Sequence, residues 1–531
     1  MTELLHELVF DSGKATPDAE ALRHRGNSLS YAELASHIET IARSLIEIGL
    51  GWQERVAVYL PKQFETVIAL FATSRAGGVF VPINPLLKPL QVSHILSDCN
   101  ARILITSLDR ATQLNQILRD CHDLHTVIIV DGDAEKIPIL PTQLRGLNWQ
   151  VLSEYSHSNP QLHRCINFDI AAILYTSGST GKPKGVVLSH CNMVTGAKSV
   201  ASYLENHAQD RLLAMLPFSF DYGFSQLSTA FLSGASVTLM DYLLPRDIIR
   251  AVTREHITGL AAVPPLWIQL ARLPWPEEAT NSLRYITNSG GRMPENTLAA
   301  LRQTLPKTTP YLMYGLTEAF RSTYLSPDQL DQRPNSIGKA IPNAEILVVR
   351  EDGTPCATGE QGELVHRGPL VALGYWNDLQ KTSERFRPTP GRTSGLPLAE
   401  VSVWSGDTVV RDEEGFLYFI SRKDEMIKTS GYRVSPTEIE EVIYQTGMVN
   451  EVVALGLPHP TMGQAIVAIA SPAKKDLHSD QLMALCKQSL PNFMVPAAII
   501  ECATLPRNPN GKIDRKQLSE TYRRMFEDTQ T

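Results

Sequence analysis

The chain has 531 residues, enough for a large buried core and for two or more domains of ordinary size. It is 43% hydrophobic and 20% charged, with a net charge of −7. This globular balance excludes a general nucleic-acid binder, which needs a basic surplus. The cysteines at 99, 121, 165, 191, 356, 486 and 502 contain no C-x-x-C pair. Reduced thiols are therefore expected, with neither a disulfide framework nor a zinc site. The opening MTELLHELVF lacks a basic segment followed by an apolar run, and no apolar stretch approaches the roughly 20 residues of a membrane helix. The expectation is a soluble cytoplasmic protein with no membrane or nucleic-acid partner.

In chain order, RVAVYL reads as a strand, FETVIALFATSRAGG as a helix and VFVPIN as a second strand. ARILIT and TVIIVD continue the alternation, which predicts an α/β fold with mostly parallel sheets packed with helices. Two polar segments, 131–165 and 387–397, read as irregular surface insertions. AAILYT reads as a buried strand, and a helix after SHCN places Met193, Ala197, Val200, Ala201 and Leu204 on one face. The intervening TSGSTGKPKG is thus expected between a strand and a helix, at the strand's carboxyl end, where open α/β sheets bind ligands. Beyond GFLYFISRKDEMIKTSGYRV the pattern changes to a short helix, strands VVALGLP and AIVAIA, another helix and a PNGKIDRK tail. A boundary near Arg422–Asp424 is expected, dividing a large domain (1–423) from a small α+β domain (424–531).

The TSGSTGKPKG loop fails the G-x-x-x-x-G-K-[ST] phosphate-loop pattern. Only two residues separate Gly178 from Gly181, and Pro183 follows Lys182. What remains is a run of amides and hydroxyls (Thr176, Ser177, Ser179, Thr180) with Lys184 as a cation, suited to phosphate oxygens. This loop, with YGLTEA (314–319), GELVHRGPLVALGYW (362–376), SGDTVVRDEEGFLYFISRKDEMIKTSGYRVSPTEIEE (405–441) and NPNGKIDRK (508–516), closely resembles the AMP-forming adenylating superfamily. That superfamily includes acyl-CoA synthetases, peptide-synthetase adenylation domains and luciferases. The motifs cover nearly the whole chain in the family's order.

The resemblance implies ATP-dependent formation of an acyl-adenylate, then transfer of the acyl group to a thiol. It implies that Thr176, Ser177, Gly178, Ser179, Thr180, Gly181 and Lys184 hold the β- and γ-phosphates. Glu318 would be the Mg2+ ligand, and Thr317 would touch the α-phosphate. Tyr314 and Gly315, with Gly290 and Gly291 of NSGGRMP, would frame the adenine. Asp407 would accept the ribose hydroxyls, a bidentate task suited to a carboxylate, with Arg422 beside it. Lys512 would bridge the substrate carboxylate and the α-phosphate in the first step. Lys428 and Gly431 would enter for the second step, after the mobile small domain turns about a hinge at Asp424.

The substrate side departs from the usual acyl-CoA synthetase pattern. Where such enzymes carry a histidine, LPFSFDYGFSQL has Phe220 and Asp221, closer to the F-D pair of amino-acid adenylation domains. There the aspartate meets an ammonium; the alternative for Asp221 is capping its helix or bonding backbone. Ser289 would line the same pocket. Arg321 would point there too, either neutralising Asp221 or holding a second substrate carboxylate. FDYG with EAFRSTYL resembles stand-alone ligases for proline or β-amino acids and exosortase-associated ligases. The expectation is an amino acid passed to the phosphopantetheine of a separate carrier protein in secondary metabolism, with proline a guess. The alternative is CoA ligation of a fatty, aromatic or small organic acid.

Overall fold

The structure, a computed structural model, describes residues 2–132, 140–154, 160–176, 183–391, 399–422, 427–429, 432–459, 462–473, 478–490 and 492–526. Two large, mostly parallel sheets dominate. The first runs Gly374–Tyr375, Lys184–Ser189, Ile170–Thr176, Val79–Pro82, Arg55–Tyr59, Ala101–Thr106, Thr126–Ile129 and Arg145–Asn148 in spatial order. The second has nine strands and includes Arg211–Ala214, Gly259–Ala262, Tyr285–Asn288 and Thr309–Tyr314 side by side. Helices fill the space between them. Phe64–Arg75 is buried from Thr66 through Ser74, as expected for a helix covered on all sides. Its Phe71, Phe80 of the first sheet and Phe224 of helix Asp221–Ser233 stack with centroids 5.3–6.0 Å apart. These rings join the layers into one core.

A third sheet, Glu345–Val349, Gln361–Arg367, Val401–Arg411 and Phe386–Pro388 with Leu417–Arg422, is antiparallel throughout. A small α+β unit follows it. Its strands Ile427–Thr429, Tyr432–Val434, Val449–His459, Gly463–Pro472 and Ala498–Glu501 carry helices Pro436–Gln445 and Ser479–Ser489. That unit has its own core around Ile439, Ile443, Val452, Ala468 and Leu482. The fold is thus a large parallel-sheet N-terminal domain with a small C-terminal domain. The unit rests on the large one through Asn84 Nδ2, which donates to the Pro509 carbonyl at 2.6 Å, and through Arg292 to Glu441 at 3.4 Å.

Three expectations need correction. The glycine loop does not lead from strand to helix: Ile170–Thr176 and Lys184–Ser189 are antiparallel neighbours, so it joins two strands. The helix His190–Leu204 follows, capped by Ser189, with the five expected side chains buried. The segment 131–165 is not wholly irregular. Arg145–Asn148 adds a parallel edge strand, and helix Trp149–Glu154 buries Leu152. The 387–397 segment begins in strand Phe386–Pro388, and its residues from 392 lie outside the described ones, as does the boundary residue Asp424.

Candidate active site

Strand ends of both large sheets supply the site. Thr176 closes one strand of the first sheet, and its buried Oγ1 finds no hydrogen-bond partner among the described residues. Lys184 opens the next strand. Ser177, Gly178, Ser179, Thr180 and Gly181 lie outside the described residues.

In the second sheet, Thr309–Tyr314 runs into Gly315 and a 3-10 turn, Thr317–Ala319, that carries Glu318. Glu318 Oε1 accepts from the Tyr375 hydroxyl at 2.5 Å. Lys184 Nζ donates to the same hydroxyl at 2.9 Å, lies 4.1 Å from that ring's centroid and stands 3.7 Å from Glu318 Oε1. Burial alone would raise the Glu318 pKa, but the Lys184 charge and the Tyr375 hydroxyl outweigh it and hold the carboxyl below its usual value. Burial and the Glu318 charge push the Tyr375 phenol well up, so it stays a protonated donor. Tyr375 belongs to the GYW motif, yet nothing local in the sequence marks it as part of this cluster. Its strand Gly374–Tyr375 is hydrogen-bonded beside Lys184–Ser189, opposite Val186 and Val187.

Among the residues expected around the nucleotide, the Tyr314 hydroxyl donates to Asp407 Oδ2. Asp407 lies directly across the antiparallel register from Arg422, so that pair of expected ribose neighbours shares one rung. Ser289, Gly290 and Gly291 follow strand Tyr285–Asn288; Ser289 is buried, and Gly290 has φ of +82°. A methyl group built on Gly290 would sit 3.4 Å from Lys512 Cε and 3.7 Å from the Phe220 ring. These are ordinary contacts, so it is the left-handed backbone, not crowding, that favours glycine here.

Lys512 sits at the tip of a tight turn. Asn508 Oδ1 accepts from the amides of Asn510 and Lys512, and Arg507 bridges Ile513 across it. Its ammonium reaches 6.0 Å from the Phe220 centroid. Lys428 lies in the hairpin strand Ile427–Thr429, opposite Arg433, and its side chain lies outside the described atoms, as do Gly431 and Asp424.

Asp221 opens the helix Asp221–Ser233 and is 2% exposed. Its carboxylate turns away from the helix. Oδ1 accepts from Thr317 Oγ1 at 3.0 Å, and Oδ2 accepts from Arg321 Nη1 at 2.6 Å. Arg321 is 1% exposed and lies 4.7 Å over the Tyr222 ring. Backbone strain aims it. Phe320 has φ of +56° and ψ of −58°, the centre of a γ-turn in which Arg321 N donates to Ala319 O at 2.6 Å. The Phe320 ring is accommodated because residue 196 is glycine; a Cβ there would lie 2.4 Å from it. Of the expected residues, Thr317, Phe220, Asp221, Arg321, Gly290 and Lys512 converge, while Lys184 and Glu318 form the adjoining charged cluster.

The AMP-binding enzyme family matches residues 9–376, and the AMP-binding enzyme C-terminal domain matches residues 438–512. The chain belongs to the AMP-binding enzyme family. A linear gramicidin synthase polypeptide of Brevibacillus parabrevis is 28% identical over 97% of this chain, which spans 10% of that protein. The long-chain-fatty-acid–CoA ligase of Salmonella typhimurium is 28% identical over 98% of this chain and 94% of its own length. Among solved structures, ATP-bound MatB from Rhodopseudomonas palustris superposes with a TM-score of 0.87 at 25% identity, covering 99% of this chain and 100% of that one. The apo form of the same protein, equally identical in sequence, scores 0.76. The arrangement of this chain is thus nearer the ATP-bound one. No helix among the described residues is long and apolar enough to cross a membrane.

Proposed function

We propose that the enzyme activates an amino acid as its adenylate and passes the aminoacyl group to a phosphopantetheine thiol on a separate carrier protein. The observation that carries this reading is Asp221, a carboxylate 2% exposed, beside Thr317 and one residue from the Phe220 ring that Lys512 approaches. Arg321 offsets the desolvation cost of this carboxylate, and each of its oxygens keeps a lone pair with which to accept from a substrate ammonium. The fatty-acid ligase relative favours a second reading, CoA ligation of a fatty or other organic acid.

In the first step a substrate carboxylate oxygen attacks the ATP α-phosphorus, and the bond to the β-phosphate oxygen breaks, releasing pyrophosphate. In this proposal Lys512 offsets the negative charge that builds between the two anions. Thr317 orients the α-phosphate. Lys184 and the glycine loop take the β- and γ-phosphates, while Tyr314, Asp407 and Arg422 hold adenosine. In the second step the thiol sulfur attacks the acyl carbon, its proton leaves, and AMP departs with the bonding pair. Lys428 and Gly431 serve that step after the small domain turns about Asp424.

A single carboxylate, Glu318, kept ionised among cationic and hydroxyl donors, fits Mg2+, which takes one or two protein carboxylates and completes its shell with phosphates and water. Bound there, the ion would neutralise phosphate charge. Among the described residues no cluster of three or more His, Cys, Asp and Glu competes for it.

Pyrophosphate exchange across a panel of amino acids, proline included, and of fatty and aromatic acids tests the reading. Exchange above background is expected with amino acids and lost with their des-amino analogues. Exchange supported by fatty or aromatic acids alone would overturn it.

A further inference from the structure

Arg385 ends the helix Leu379–Arg385, whose start is capped by Asp378 accepting from the Lys381 amide. The helix is docked on the strand that carries Tyr375. Thr382 Oγ1 accepts from the Tyr375 amide at 2.9 Å, and the Phe386 ring meets the Tyr375 ring edge-on with centroids 5.4 Å apart. On its other side the guanidinium lies against Gly406, in space that a Cβ there would claim, and Nη1 donates to the Trp404 carbonyl at 3.1 Å. Gly406, with φ of +71°, leads directly into Asp407, the acceptor of the Tyr314 hydroxyl. Arg385 therefore stands between the Lys184–Tyr375–Glu318 cluster and the carboxylate expected at the ribose. Its side chain is half-buried, not sealed.

The charges give this position a meaning. Lys184 and Glu318 stand 3.7 Å apart and offset each other. A seat for the β- and γ-phosphates needs surplus positive charge, which that pair does not supply and Arg385 does. Burial raises the Glu318 pKa, and Lys184, the Tyr375 hydroxyl and Arg385 together draw it back below its usual value. The guanidinium thus acts on the same carboxyl as Lys184. It offers five N–H donors in one rigid plane, and the Trp404 carbonyl uses a single nitrogen. A role confined to that carbonyl would need only one neutral donor.

We propose that Arg385 is a phosphate-binding residue of the adenylation site, its guanidinium taking oxygens of the ATP β- and γ-phosphates and of the pyrophosphate they become. The inference rests on the ATP-site roles given above and adds a residue outside the motifs that suggested them.

The test is calorimetric titration of the intact enzyme, in Mg2+, with ATP, pyrophosphate and AMP separately. Arg385→Gln keeps a neutral donor for the Trp404 carbonyl. Its affinity for ATP and pyrophosphate is expected to fall about tenfold or more, the scale of a charged hydrogen bond, with AMP held within about twofold. Arg385→Lys, which keeps the cation, should recover part of that loss. Should the glutamine variant fail to fold, the lysine variant is read alone: pyrophosphate weakened about two- to fivefold and AMP unchanged. Equal weakening of AMP and pyrophosphate would show that Arg385 acts through Gly406 on the ribose side. Unchanged pyrophosphate affinity would show that it does not meet the phosphates. Either result overturns the inference and leaves the ATP site standing. Wild-type enzyme that binds neither ATP nor AMP would overturn both.

Discussion

Tyr375 shows how much one hydroxyl arranges. It donates to Glu318, accepts from Lys184 and presents its ring face to the same ammonium. A phenol is suited to this because it bridges a carboxylate and an ammonium without carrying charge of its own. Tyr375→Phe keeps the ring and the strand pairing and removes only the bridge. The expected outcome is about a tenfold loss in pyrophosphate-exchange kcat, in line with a hydrogen bond to a charged group. The Mg2+ concentration for half-maximal rate should rise, with thermal stability nearly unchanged. An unaltered Mg2+ dependence would show that Glu318 does not need the tyrosine. Position 375 sits in plain view within GYW, but its partners come from residues 184 and 318. No local pattern joins those three; only the register of strand Gly374–Tyr375 beside Lys184–Ser189 does.

At the scale of elements, the Lys512 turn is the piece most separable from the rest. Asn508, Gly511 with φ of +80° and the Arg507–Ile513 bridge make it a self-braced tip, and Asn84 holds its base by bonding Pro509. Lys512→Ala should therefore leave the turn intact and remove only the ammonium. Adenylate formation is expected to fall by about 10²-fold or more, the scale of losing a preorganised charge in a transition state. Thiol transfer from a pre-made adenylate should survive, and equal loss of both steps would refute a role confined to the first. Lys512, Glu318 and Asp407 were readable because each stands inside a dense motif. Other elements were hidden. The run KGVVLS flows without a break into the helix His190–Leu204, so the strand that makes the glycine loop a strand-to-strand connection was not set apart. The edge strand RGLN contains no β-branched or aromatic residue, and its neighbour Thr126–Ile129 supplies the pairing that its own propensity does not. The Asp221–Arg321 pair was foreshadowed, but the aim of the arginine depends on a γ-turn that no residue type announces.

For the molecule as a whole, three buried histidines set an acid limit. Burial holds the His6 and His366 rings down to about 3, and His190 down to about 4. His6 and His190 also face each other with ring centroids 6.1 Å apart, and the His190 ring adds to the burial that disfavours a proton on His6. All three are neutral in the folded protein near neutral pH. Unfolding restores an ordinary value near 6.5, so the unfolded chain binds more protons below that pH. Stability should hold above pH 6.5 and decline as pH falls toward about 4, each ring contributing up to about 1.4 kcal/mol per pH unit. Thermal melts between pH 7.5 and 4.5 measure this, and His190→Gln should flatten the slope by about one ring's share. A melting temperature independent of pH between 6.5 and 5 would contradict the assignment.

The slot at Gly196 ties together two distant parts of the chain. Phe320 keeps its left-handed turn while its ring fills the space a side chain at 196 would take, and that turn in turn directs residue 321. Positions 196 and 320, on separate elements more than a hundred residues apart, are therefore sterically coupled. Exchanging one without the other would disturb the turn that sets Arg321 against Asp221 before it disturbed the fold.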